Sequence, residues 1–116
     1  MDSIVKDKSK KFAVRIVKLC QYLSDEKREI VMSKQLLRSG TSVGANIREA
    51  LQGQSKADFT AKMSISLKEI NETEYWLEIL FETGYLDETQ YASIAKDCQE
   101  IAKMLISIVK TSRSKS

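Results

Sequence analysis

Histidine and proline are missing from this chain, and glycine and cysteine are scarce, at four and two of 116 residues. Without histidine there is no imidazole to act as a general base, to activate a serine or to hold a transition metal. Without proline, and with so little glycine, nothing in most of the chain breaks a long helix, so the reading is all-α. Apolar runs stop after a few residues, too short to span a bilayer. The opening MDSIVKDKSKKF carries charge but no apolar stretch of the kind a secretion signal needs. Cys20 and Cys98 fall on apolar helix faces. Buried free thiols in a reducing cytoplasm are expected there, with a bridge between the first and last helices as the alternative.

Catalytic signatures are absent in turn. Gly40-Thr41-Ser42-Val43-Gly44 has neither the lysine nor the spacing of a phosphate loop, and no G-x-S-x-G elbow occurs. Glu69 with Glu72, and Glu74 with Glu78, raise the question of a carboxylate metal site. Helical di-iron centres add Glu-x-x-His motifs, and this chain cannot supply them. Neither metal, cofactor nor active site is expected.

What is present is helical periodicity. Phe12, Ile16, Leu19 and Leu23 repeat at 4-3-4 spacing, widened by Ala13, Val17 and Cys20, and predict a first helix over residues 4–23. A polar turn over 24–29 precedes a second helix over 29–52, with Gly53 just past its end. Ser55 with Asp58 starts a third helix, which carries Phe59, Met63, Leu67, Ile70, Leu77 and Leu80 and stops at Gly84. Asp87 with Gln90 opens a fourth, whose seam is Tyr91, Ile94, Cys98, Ile101, Leu105 and Ile108. The tail from Thr111 to Ser116 reads as disordered. Four helices with short connections make one domain, an antiparallel up-down-up-down four-helix bundle.

Net charge is only +3, but it is unevenly spread. Residues 1–18 carry +4, with Lys6, Lys8, Lys10, Lys11, Arg15 and Lys18 against Asp2 and Asp7, and residues 101–116 carry +4 through Lys103, Lys110, Arg113 and Lys115, leaving −5 between them. Up-down-up-down topology brings both basic ends to one pole and adds Arg48, Lys56 and Lys62 from the second turn. The other pole collects Glu78, Glu82, Asp87 and Glu88, with Asp25, Glu26 and Glu29. A basic pole suits phosphate contact with RNA or DNA; a solvated lysine face that keeps the protein soluble is the alternative.

The second helix holds the least helical chemistry. Gly40 and Gly44 share a face with Ile47 and Leu51, and two glycines four apart allow another backbone to come close. Ser42, Asn46 and Glu49 make a polar row, flanked by Arg38 and Arg48. The third helix offers a matching row of Lys62, Ser66, Glu69, Thr73 and Trp76, with Glu72 in reach. These rows specify either a subunit interface or binding groove, or else a solvent-facing side with Trp76 completing the core; if the rows meet, Lys62 or Arg48 pairs with Glu49, Glu69 or Glu72.

QLLRSGTSVGANIREA (residues 35–50) and SKADFTAKMSISLKEINETEYWLEIL (residues 55–80) resemble the bacterial 23S rRNA intervening-sequence proteins. The resemblance implies an antiparallel four-helix bundle assembled as a ring-shaped homopentamer. A related bundle is the accessory protein of diversity-generating retroelements, where it engages a reverse transcriptase and nucleic acid. By that likeness the expected partners are other copies of the chain, RNA or DNA, and a protein such as a reverse transcriptase, with no membrane. The resemblance brings no catalytic residues.

Overall fold

The computed structural model describes residues 2–114, with side chains from Ile4 onward. Four helices follow one another: α1 Asp2–Asp25, α2 Val31–Leu51, α3 Lys56–Glu82 and α4 Glu88–Ser114. Each packs on the next, α4 returns to α1, and the backbones of diagonal helices stay apart among the described residues, as in a square bundle 46 Å long and 20 Å across. The seam between α2 and α3 is the most extensive and that between α4 and α1 the sparsest.

The helix ends show why each begins and stops there. Ser55 caps α3 by accepting the Asp58 N–H at 3.1 Å. Asp87 and Gln90 bond reciprocally, each side chain to the other's backbone N–H at 2.8 and 2.9 Å, which closes a capping box ahead of α4. Gly84, at φ +86°, ends α3 in a Schellman turn, its N–H reaching the Phe81 carbonyl and that of Tyr85 the Leu80 carbonyl.

Two ends differ from expectation. Glu29 is not the first residue of the second helix but stands two residues before it. The N-cap position falls on Ile30, whose side chain has no acceptor, so the Glu29 carboxylate turns back to accept the N–H groups of Val31, Met32 and Ser33 at 3.2, 3.2 and 2.8 Å. At the C-terminus, residues 111–114 are helical instead of disordered. Ser112 is buried against α3, hydrogen-bonded to Thr60, and Arg113 donates to Ser64 at 3.3 Å, so side-chain contacts hold the last turn. The expectation for 115 and 116 lies outside the described residues.

The core runs the bundle's length: Val5, Phe12, Ile16, Cys20 and Leu23 from α1, Leu36, Val43 and Ile47 from α2, Met63, Ile70, Leu77 and Leu80 from α3, and Ile94, Cys98, Ile101, Leu105 and Val109 from α4. Late in α4 the seam moves from the expected Ile108 to Val109, and in α1 from Leu19 to Cys20. A helix at 3.6 residues per turn drifts off a strict heptad in this way. Both thiols are free and buried, so the bridge between the first and last helices does not form.

Hydroxyls complete the interior. Ser66 donates to the Val43 carbonyl at 2.7 Å, and Thr73 Oγ1 lies 2.9 Å from Ser39 Oγ and 2.8 Å from the Glu69 carbonyl. All three residues are fully buried between α2 and α3. Among the described residues every buried side-chain polar atom has a partner, which is what makes such burial tolerable.

Candidate functional site

Antiparallel packing puts the start of α1, the end of α2, the start of α3 and the end of α4 at one end of the bundle. Lys6 and Lys10 stand there on α1, Arg48 in the last turn of α2, Lys56 in the first turn of α3, and Lys103 and Lys110 on α4. All six are exposed, and none forms an ion pair with a described side chain. Arg113 joins them, with one guanidinium nitrogen held by Ser64. Clustered free cations of this kind attract phosphate without regard to sequence.

Three of the sequence candidates do different work. Lys8 pairs with Glu100 at 2.5 Å, and Arg15 pairs with Asp97 at 2.6 Å while donating to the Ser93 hydroxyl at 2.9 Å. Glu100 first by hydrogen bond and then by charge raises the Lys8 ammonium above its ordinary value. Both cations therefore span the sparse α1–α4 seam. Lys18 lies too far along α1 for the basic end: it lines a groove of about 420 Å³ with Arg15, Tyr22 and the first turns of α4. Lys11 stays exposed beside a small cavity shared with Phe12 and Ile101.

The two polar rows meet each other across α2 and α3 of the same chain. Arg38 reaches Glu69 at 3.1 Å and also binds Glu72, which accepts the Trp76 indole N–H at 3.0 Å. Arg38 and then Trp76 hold the Glu72 carboxyl below the usual range, and Glu72 in turn raises the Arg38 guanidinium. Lys62 pairs with Glu49 at 2.8 Å, one of the pairings the sequence suggests. Ser42 donates to the Arg38 carbonyl and Asn46 to the Ser42 carbonyl, so both spend hydrogen bonds on their own helix. The glycines, expected at a contact between subunits, face α1 of the same chain: Gly40 abuts Ile16 and Gly44 abuts Ser9. At Gly40 a side chain would hold α1 and α2 apart, because a Cβ there would lie 2.8 Å from Ile16, so this glycine serves a contact within the chain. Tyr75 packs edge-on against Trp76, with ring centroids 5.3 Å apart, and is exposed.

Sequence reasoning missed an outward apolar face on α1 and α2. Val14, Val17, Ile30, Val31 and Leu37 are exposed, Val31 at 73%. A groove of about 340 Å³ between the helices is lined by Val17, Cys20, Ile30 and Leu37, together with Asp25 and Lys34. Val17, expected on the inward stripe of the first helix, is exposed instead, and the signal for the others was apolar residues lying off that stripe. The acids Asp97 and Glu100, which engage two of the basic candidates, were missed as well. Among the described residues no group of three or more Cys, Asp or Glu could hold a metal ion, and no helix is long and apolar enough to cross a membrane.

The family model for 23S rRNA-intervening sequence proteins matches residues 1–107. A crystal structure of a protein of unknown function from the S23 ribosomal protein family of Bacteroides thetaiotaomicron is 63% identical in sequence. The match covers 94% of this chain and 97% of that one, with a TM-score of 0.92. No curated protein matches the chain. The chain belongs to the 23S rRNA-intervening sequence protein family.

Proposed function

We propose that this family member is a non-enzymatic, cytoplasmic four-helix bundle that assembles as a ring-shaped homopentamer and binds RNA or DNA weakly through its basic end. The observation that carries the nucleic-acid reading is the group of unpaired cations there, Lys6, Arg48, Lys56, Lys103 and Lys110, contributed by all four helices. A ring would present several such ends on one face, and avidity would add to a modest single-site affinity. The apolar α1–α2 face supports self-association, because Val17, Ile30 and Leu37 are exposed large apolar residues lining one groove, and such a surface favours burial against another.

Binding of a short labelled single-stranded RNA across a salt series tests the reading. If these five cations of one protomer engage phosphate, log affinity falls against log salt with a slope of roughly −3.5. Charge reversal at Lys6 and Lys110 weakens binding and flattens that slope while leaving the helical signal intact. No binding at low salt ends the proposal. Light scattering measures the assembly, and a monomer at working concentration removes the ring.

A second reading is a scaffold or accessory subunit for a partner enzyme, such as a reverse transcriptase, without direct nucleic-acid contact. The same apolar α1–α2 face favours it, since protein surfaces of that character are docking sites more often than phosphate sites. A partner recovered from cells that survives nuclease treatment and is lost on Leu37→Asp would select this reading.

A further inference from the structure

On the side of the bundle away from the apolar α1–α2 face, a groove of about 380 Å³ runs along the first half of α4 and is bounded on the α3 side by Phe81. Its floor holds Ala92 and Ala95, and Phe81 and Tyr91 line it as a parallel stack with centroids 4.5 Å apart. Small residues at a groove floor let a helix approach closely, and an aromatic stack gives its apolar side chains a flat surface.

The charge around this groove has one dominant sign. Glu74, Glu78 and Glu82 recur every fourth residue along α3, and Glu88 lines the groove from α4, against a single base, Lys96. Glu74 accepts a hydrogen bond from Gln99 at 3.2 Å, and none of the four carboxylates has an ion pair among the described residues. Glu82, with Glu78 one turn behind it, is placed unfavourably at the end of α3, because that helix has no base in its last turn and its dipole is negative there. The carboxylates also bear on the groove itself: burial first, then Glu78 and Glu74, with smaller contributions from Cys98 and Glu82, raise the Tyr91 phenol above its ordinary value. A bound cation would relieve the repulsion among the acids and their conflict with the dipole together.

We infer that the α3–α4 groove is a docking site for a cationic amphipathic helix carried by another protein, its apolar stripe on Ala92, Ala95 and the Phe81–Tyr91 stack and its Lys or Arg residues on the carboxylates of α3. This surface is separate from the basic end, so it stands whether or not that end binds nucleic acid.

The test uses the full chain and a labelled lysine–leucine peptide patterned to form an amphipathic helix, followed by fluorescence anisotropy at low salt. Glu78→Lys with Glu82→Lys is expected to weaken binding about tenfold or more, while Asp7→Lys with Glu26→Lys, the same change in net charge placed elsewhere, leaves it within about twofold. Ala92→Trp, which fills the exposed floor without changing charge, is expected to weaken it similarly. Circular dichroism confirms that each variant is folded. Equal losses in the two charge variants, or equal binding of a scrambled peptide of the same composition, would reduce the effect to bulk charge and overturn the proposal. So would full binding by Ala92→Trp, or a groove variant whose sedimentation shows that a second copy had occupied the site.

Discussion

Gly40 of α2 rests against Ile16 of α1 so closely that a Cβ on the glycine would lie 2.8 Å from the isoleucine Cγ2 and 2.9 Å from its Cγ1. Ile16 is fully buried and β-branched, so it has little freedom to swing away. Gly44, one turn on, is different: a Cβ there would meet the Ser9 hydroxyl at 3.3 Å and the Ser9 backbone at 3.4 Å, contacts near the ordinary range.

The two glycines should therefore respond differently to alanine. Overpacking at Gly40 costs about 1–3 kcal/mol, only partly offset by the roughly 1 kcal/mol that alanine gains in a helix interior. Gly40→Ala is expected to lower the stability measured by urea denaturation by a net of up to about 2 kcal/mol, and Gly44→Ala to stay within about 0.5 kcal/mol of the parent on the same balance. Combining Gly40→Ala with Ile16→Ala should recover part of the loss. Equal effects at the two positions would contradict the packing argument.

Glu29 holds three backbone N–H groups at the start of α2 with one carboxylate. Removing a helix cap costs about 1 kcal/mol, and up to 2 where the site is shielded. Glu29→Ala is expected to fall in that range by urea denaturation, with Glu29→Gln between it and the parent because an amide keeps one acceptor oxygen. A null result would mean that water replaces the cap without loss.

Most of the bundle was legible because its signals are local. Ser55, Gly84 and the Asp87–Gln90 box announce helix ends through side chains within three residues of the bonds they make. The Glu29 cap was not legible, since the usual cap position holds Ile30 and the carboxylate reaches over it. The surface was harder for the same reason. Which lysines are free depends on residues some 80–90 positions away, as with Lys8 to Glu100 and Arg15 to Asp97, and spacing along one helix cannot reveal that. The glycine pair was recognised as a device for close approach, but sequence could not say which helix approaches.

Trp76 is the chain's single tryptophan, and its indole donates to Glu72, so its fluorescence reports on that carboxylate. Glu72 titrates below the ordinary value because Arg38 and Trp76 favour its charged form. A depressed folded pKa gives stability that is present above the unfolded pKa and lost as pH falls through the folded one. The expected result is a Trp76 titration with its midpoint below about 4.3, and an acid limb of stability that becomes shallower in Glu72→Gln. The partners are substantially exposed, so the pair contributes at most about 1 kcal/mol. A midpoint at or above the ordinary glutamate value would show that the Arg38 contact does not persist in solution.

Cys98 supplies the alkaline counterpart. Burial, reinforced by Glu74, Asp97 and Glu78, pushes its thiol up to about 12, and its Sγ lies 3.6 Å from the Ile70 carbonyl. The thiolate is the reactive form, so native protein at pH 8 should leave Cys98 unlabelled by a thiol reagent, and denaturant should release it at the global unfolding rate. The linkage sign is opposite to that of Glu72: the unfolded thiol ionises first, near pH 8.5–9, so each further rise in pH favours the unfolded chain until the folded thiol also ionises near 12. Stability is expected to decline between those limits, and Cys98→Ala, though less stable overall, should lose less across that span. Cys20 also has a raised thiol, first by burial, and shares the direction of the effect, so the residual slope in Cys98→Ala combines its share with those of the raised Tyr91 phenol and Lys8 ammonium. Rapid native-state labelling of Cys98 at pH 8 would mean that the α3–α4 seam opens far more readily than its buried packing implies.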